Sequence, residues 1–134
     1  MTARPAGDTV APTMTAVLYL GLEPHLVDFS AFPDLTAEKL AAQLREQVAQ
    51  LRAAGFDADF VGVDRGETAA AVTAAALAAK PYDVVLIGAG VRTAPPLLTL
   101  FETLINVVHE RAPRARLCFN TTPRDSEAAI RRQV

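Results

Sequence analysis

Tyr82-Asp83-Val84-Val85-Leu86-Ile87-Gly88-Ala89-Gly90-Val91-Arg92-Thr93 is the stretch on which the fold turns. Its unbroken apolar run is too short for a helix and ends abruptly in Gly88-x-Gly90, with Pro95-Pro96 close behind. Apolar residues on both alternating faces predict a parallel strand buried on both sides. Glycines at its end permit a tight turn with exposed backbone N–H groups, and the prolines fit the first turn of a following helix. In an open α/β sheet, ligands settle at that strand-to-helix turn. The segment therefore predicts the fold class and points to one edge of the molecule, without naming a reaction.

Working outward, three further apolar runs alternate with helical stretches. The first is Ala16-Val17-Leu18-Tyr19-Leu20, closed by Gly21; the others span 58–63 and 116–119. Helices are predicted over 37–54, 67–79 and 96–111, with a short one from 125 or 126 to the end of the chain. Thr36 suits an N-cap, Glu38 the first turn and Gly55 a C-terminal stop, while Leu40, Leu44, Val48 and Leu51 keep the helical period. Right-handed crossovers then predict a doubly wound, mostly parallel four-stranded sheet in order 2-1-3-4. Helices on both faces make it a flavodoxin-like, Rossmann-like three-layer sandwich. The crevice falls between the loops after Leu20 and Ile87, with the loop after Phe119 beside them.

Strand 116–119 is an apolar edge, which the last helix or a second subunit must cover. Along 96–111, Leu97, Leu98, Leu100, Phe101, Leu104, Ile105, Val107 and Val108 occupy about half the circumference at ~100° per residue. That width predicts a homodimer through this helix, the strand edge or both.

The chain has 134 residues, 51% of them hydrophobic, which fits one domain with its own core. Residues 14–134 are read as that domain and 1–13, rich in Ala, Thr and Pro, as a flexible arm. A net charge of −2 with interspersed signs argues against nucleic acid as a partner. No apolar run reaches the about 20 residues of a membrane span. One cysteine, Cys118, fits a reducing cytoplasm, and the two histidines show no zinc spacing.

Val17-Leu18-Tyr19-Leu20-Gly21-Leu22-Glu23-Pro24, with the run 82–88, resembles the first and third strands of bacterial response-regulator receiver domains. Thr121 matches that family's hydroxyl residue after the fourth strand. The family's acidic pair falls on Gly21 and Leu22, its phospho-accepting aspartate on Gly88, and its lysine has no counterpart. Without those carboxylates nothing holds Mg²⁺ or accepts a phosphoryl group. Dinucleotide binding lacks its fingerprint too, because Thr93 stands where the third glycine belongs and Asn120 where an acid would end the next strand. No cofactor and no metal are expected.

Arg92, beside the Gly88-x-Gly90 turn, would make an anion site with the turn amides, or else lie as a surface side chain. His25 and Asp28, in the long loop 22–35, form a candidate acid–base pair, with Phe29 and Phe32 able to close over a ligand. Glu102 shares a helix face with Asn106 and His109 and stands nearest the presumed site. Gly21, Gly88, Gly90, Asn120 and Thr121 complete the expected ligand-binding set, and Cys118 reads as inert packing. Two functions stand. One is a small-molecule site for an anionic ligand, an enzyme if His25, Asp28 and Glu102 converge on it. The other is a receiver-like interaction module acting through a dimer or partner surface.

Overall fold

All seven residues of strand β1 (Ala16–Leu22) are buried, as the centre of a two-sided sheet requires. The computed structural model describes residues 14–134, so the expected arm at 1–13 lies outside the described residues. β1 is flanked by β2 (Asp57–Val63) and β3 (Val84–Ile87), and β4 (Arg116–Phe119) lies outside β3. Every pairing is parallel and the order is β2-β1-β3-β4, as the crossover rule predicts. Asp83 sets the register at the base of the sheet. Its carboxylate accepts from Ala16 N at 2.8 Å, and its backbone bonds both Ala16 and Arg116.

Side chains alternate between two cores. Leu18, Leu20, Leu22, Val85 and Ile87 face α2 (Ala69–Ala79) and α4 (Leu98–Arg111), where Leu100, Leu104 and Val108 meet them. Val17, Tyr19, Val84, Leu86 and Cys118 face α1 (Ala37–Ala53) and α5 (Ser126–Arg131), meeting Leu44, Leu51, Ala129 and Ile130. Each fully buried aliphatic chain contributes about 1.5–3 kcal/mol. Thr36 caps α1 by accepting from Lys39 N at 3.2 Å, and Gly55 ends it at φ 101°, a conformation that favours glycine.

The structure departs from expectation after β3. Gly88 and Gly90 are not in left-handed conformations. Instead Gly88 caps a single helical turn, α3 (Ala89–Arg92), and Pro95-Pro96 open a 3₁₀ turn (Pro95–Leu97) ahead of α4. The wide apolar face of α4 has partners within the chain. Phe101 stacks edge-on against Phe119 of β4, with centroids 5.8 Å apart, and Ile105 and Val107 pack half-buried on the same core. Leu98 remains exposed. α5 covers the β3–β4 face, and Arg132 donates to the Phe119 carbonyl at 3.0 Å. No helix among the described residues is long and apolar enough to cross a membrane.

Candidate functional site

A cavity of about 460 Å³ opens at the C-terminal end of β1 and β3, where the strand order reverses. Gly21 and Gly88 floor it, α1 walls it with Leu40, Gln43 and Leu44, and the loop after β1 covers it with Val27, Phe32 and Leu35. Ala89, Gly90 and Thr93 of the α3 segment and residues 121–124 close the remaining side. A second concavity of about 540 Å³ runs along α1 against Phe60 of the outer strand. That groove adjoins the switch-point cavity, with Leu44 lining both. Of its two arginines, Arg52 is already committed to the Ala58 carbonyl at 2.9 Å and to Asp59.

The floor is open because two side chains are missing. A β-carbon on Gly21 would stand 2.8 Å from Cε1 of Phe60, whose ring meets Tyr19 edge-on at 5.3 Å. On Gly88 it would stand 3.2 Å from Cε1 of Tyr19 and 3.4 Å from the Leu20 carbonyl. Gly21 thus leaves room for the Phe60 ring and Gly88 for that of Tyr19, which lines the cavity while only 2% exposed. Burial first of all holds the Tyr19 phenol above its ordinary value of 10.0, so it is protonated at neutral pH.

Beneath the floor Asn120, 1% exposed, joins three elements. Its Oδ1 accepts from Ala89 N at 2.8 Å, and its Nδ2 donates to Tyr19 Oη at 2.9 Å and Ser126 Oγ at 3.0 Å. The Ser126 hydroxyl in turn donates to the Pro123 carbonyl at 2.7 Å. Asn120, expected as a ligand donor, is therefore a buried clamp between β4, α3 and α5.

The other expected residues separate. Arg92 points away from the cavity because α3 is a helical turn, so Ala89, Gly90 and Thr93 face the opening while Val91 enters the core. The Arg92 guanidinium donates to the Asn120 carbonyl and lies 5.5 Å over the Phe119 ring, with its Nε buried and without a partner among the described residues. Thr121 lines the cavity, yet its N–H and hydroxyl both donate to Asp125, at 2.9 and 2.6 Å. Thr122 accepts from Arg124 N, completing a capping box that starts the last helix. Gly90 lines the cavity with open space where a side chain would stand.

His25, Asp28 and Glu102 do not converge. His25 sits exposed in a 3₁₀ turn (Pro24–Leu26) and does not line the cavity. Asp28 folds its own loop, accepting from Ser30 N at 3.0 Å, and that bond holds its carboxyl below the ordinary range. Glu102 is exposed on α4, in the layer across the sheet from the cavity. Phe32, the expected lid residue, does line it and is 60% exposed.

Sequence spacing missed Tyr19, Gln43 and Arg124. Tyr19 carried a signal: a polar-tipped ring in an otherwise aliphatic central strand, on the same face as Gly21. Arg124 is the one charged residue among the described lining, and its guanidinium has no partner among the described residues. No group of three His, Cys, Asp or Glu among the described residues is placed to hold a metal. The fold and site define a doubly wound α/β domain with an apolar cavity at its switch point. Neither a scan against protein-family models nor a search of curated proteins finds a match to the chain.

Proposed function

We propose that this domain binds a small amphipathic anion, with its apolar body in the switch-point cavity and its charge on Arg124. The observation that carries this reading is the lining itself. Leu22, Val27, Leu35, Leu40, Leu44 and Phe32 offer apolar contact, and among the described residues a single guanidinium, without a partner among them, supplies the charge of the lining. Apolar walls give affinity while a few polar groups orient the ligand. Exposed Phe32 gains burial when the space beneath it is filled. The positions where a receiver domain carries acids, Gly21, Leu22 and Gly88, all line this cavity, so it suits an apolar guest in place of a metal-bound phosphoryl group.

The arrangement is one of binding. His25, Asp28 and Glu102 stand apart from the lining, and the Thr121 hydroxyl is occupied by Asp125. The test is titration with 4-phenylbutanoate and with its uncharged alcohol, 4-phenylbutanol, followed by amide shifts of Gly88, Gly90 and Thr121. Arg124→Gln should weaken the acid about tenfold and leave the alcohol unchanged. Gly90→Leu, which grows into open space, should weaken both. Shifts from neither compound, or equal binding of the acid to the Arg124→Gln protein, would refute the reading.

A further inference from the structure

We infer that the free edge of β2 is the surface on which a second copy of this chain pairs, antiparallel about a two-fold axis beside Phe60, doubling the four-stranded sheet. The inference is independent of the binding reading above and uses a surface other than α4 and the β4 edge.

β2 ends the sheet, with only β1 beside it. Along a strand, the N–H and C=O of one residue point to the same side and those of the next residue to the other. Asp57 N donates to the Thr15 carbonyl and the Val63 carbonyl accepts from Glu23 N, so the odd-numbered residues of β2 face β1. Ala58, Phe60 and Gly62 therefore turn their backbone groups outward. The bond from Arg52 Nε to the Ala58 carbonyl, at 2.9 Å, marks that direction. Open edges are commonly blunted by proline, a bulge or unpaired charge. β2 contains no proline, its pairing with β1 runs unbroken from Asp57 to Val63, and Lys80 holds Asp57 and Asp59 at 2.7 and 2.8 Å.

The register follows from symmetry. All three outward residues find partners only if Phe60 meets Phe60 of the second copy, which sets Ala58 opposite Gly62 at both ends. The side chains then match. On the α1 face the two Phe60 rings meet at the axis, between the grooves of about 540 Å³ that they line. The small Ala58 and Gly62 leave room on either side, and the two ends of the edge carry opposite charge. Arg52 reaches Ala58, whereas the Glu23 carboxylate lies over Gly62, with Oε1 2.6 Å from where a β-carbon would stand. Glu23 is half-buried and has no ion pair among the described residues. The Arg52 side chain is 59% exposed and is held by Asp59 only at 3.4 Å. Pairing brings Arg52 of each copy to Glu23 of the other. Across the strands Asp57 and Asp59 stand opposite Val63 and Val61, so no like charges meet. Arg45, which also lines the groove, is exposed and can keep its charge in water.

The test is the association of the full chain, by sedimentation velocity from micromolar to near-millimolar concentration, with amide hydrogen exchange measured alongside. Wild type should dimerise, and the Phe60 and Gly62 amides should gain protection as the concentration rises. Glu23→Arg and Arg52→Glu should each weaken the dimer about tenfold, because a two-fold axis repeats every contact. The two reversals combined should restore it. A wild-type chain that stays monomeric throughout overturns the inference and leaves the edge to a strand of another protein. A dimer in which these two amides exchange as freely as in the monomer places the contact elsewhere and overturns it too, as does a double variant no tighter than the single ones. Should either variant fail to fold, the concentration dependence of the two amides in the wild-type chain still decides.

Discussion

Replacing Asn120 by Ala should destabilise this domain by about 3–5 kcal/mol, a large share of the ~5–15 kcal/mol that holds a domain folded. The figure follows from what the side chain leaves behind. Its Oδ1 satisfies the Ala89 N–H at 2.8 Å, and its NH₂ serves Tyr19 and Ser126 at 2.9 and 3.0 Å, all at a site 1% exposed. The orphaned Ala89 N–H accounts for about 1–3 kcal/mol, and the two lost bonds to hydroxyls for about 1 kcal/mol each. Urea unfolding followed by circular dichroism is the assay, with a fall in midpoint at unchanged m expected. A thermal scan should show a loss of ~10–20 °C. Hydrogen exchange at Ala89 should accelerate beyond the global change. A loss under about 1 kcal/mol at unchanged m would refute the reasoning, since it would mean that these three bonds contribute no more than water would.

Other consequences are simpler to state. Gly55→Ala should cost about 1–2 kcal/mol through backbone strain alone, because φ is 101° and nothing crowds the new methyl group; a neutral effect on the denaturation midpoint would contradict this. The Thr68 hydroxyl, 2.6 Å from the Asp64 carboxylate, holds that carboxyl below its ordinary value of 3.8. A depressed carboxylate stabilises the fold above its unfolded value and stops doing so as pH falls through the folded one. The stability gap between wild type and Asp64→Asn should therefore be full at neutral pH, shrink once pH falls below 3.8, and close in stronger acid; a gap that is flat with pH denies the carboxylate any part. Burial pushes the Cys118 thiol up to about 11. A thiol reagent at neutral pH should accordingly label it only at the rate of unfolding, whereas rapid labelling of the native protein would show that α5 lifts from β4.

Much of this architecture is legible in the chain because its signals are local. The aliphatic runs of β1, β3 and β4 have no polar face to spare. Thr36 and Gly55 bracket a helix whose Leu44, Val48 and Leu51 repeat at its period. Strand order then follows from the handedness of crossovers and needs no long-range knowledge. The boundary after β3 was harder to place. Gly88-x-Gly90 read as a turn, but both glycines adopt ordinary backbone angles, and their small size, not any unusual conformation, keeps the cavity open. Nor can a sequence show that Phe119 would stand against Phe101 on the apolar face of α4.

Taken alone, the sequence determined the class of fold and the end of the sheet at which a cavity opens, since both depend on periodicity, caps and chain handedness. It could not determine which side chains reach that site. Only the tertiary structure turned Arg92 onto the Asn120 carbonyl and the Phe119 ring, engaged Thr121 with Asp125, and placed Asp28 in service of its own loop. It also joined Asn120 to Tyr19 across 101 positions of chain. The physical reason is that periodicity records which face is buried, whereas the direction of a hydrogen bond depends on neighbours far away in sequence. At this switch point such neighbours engage the polar groups that the sequence had marked.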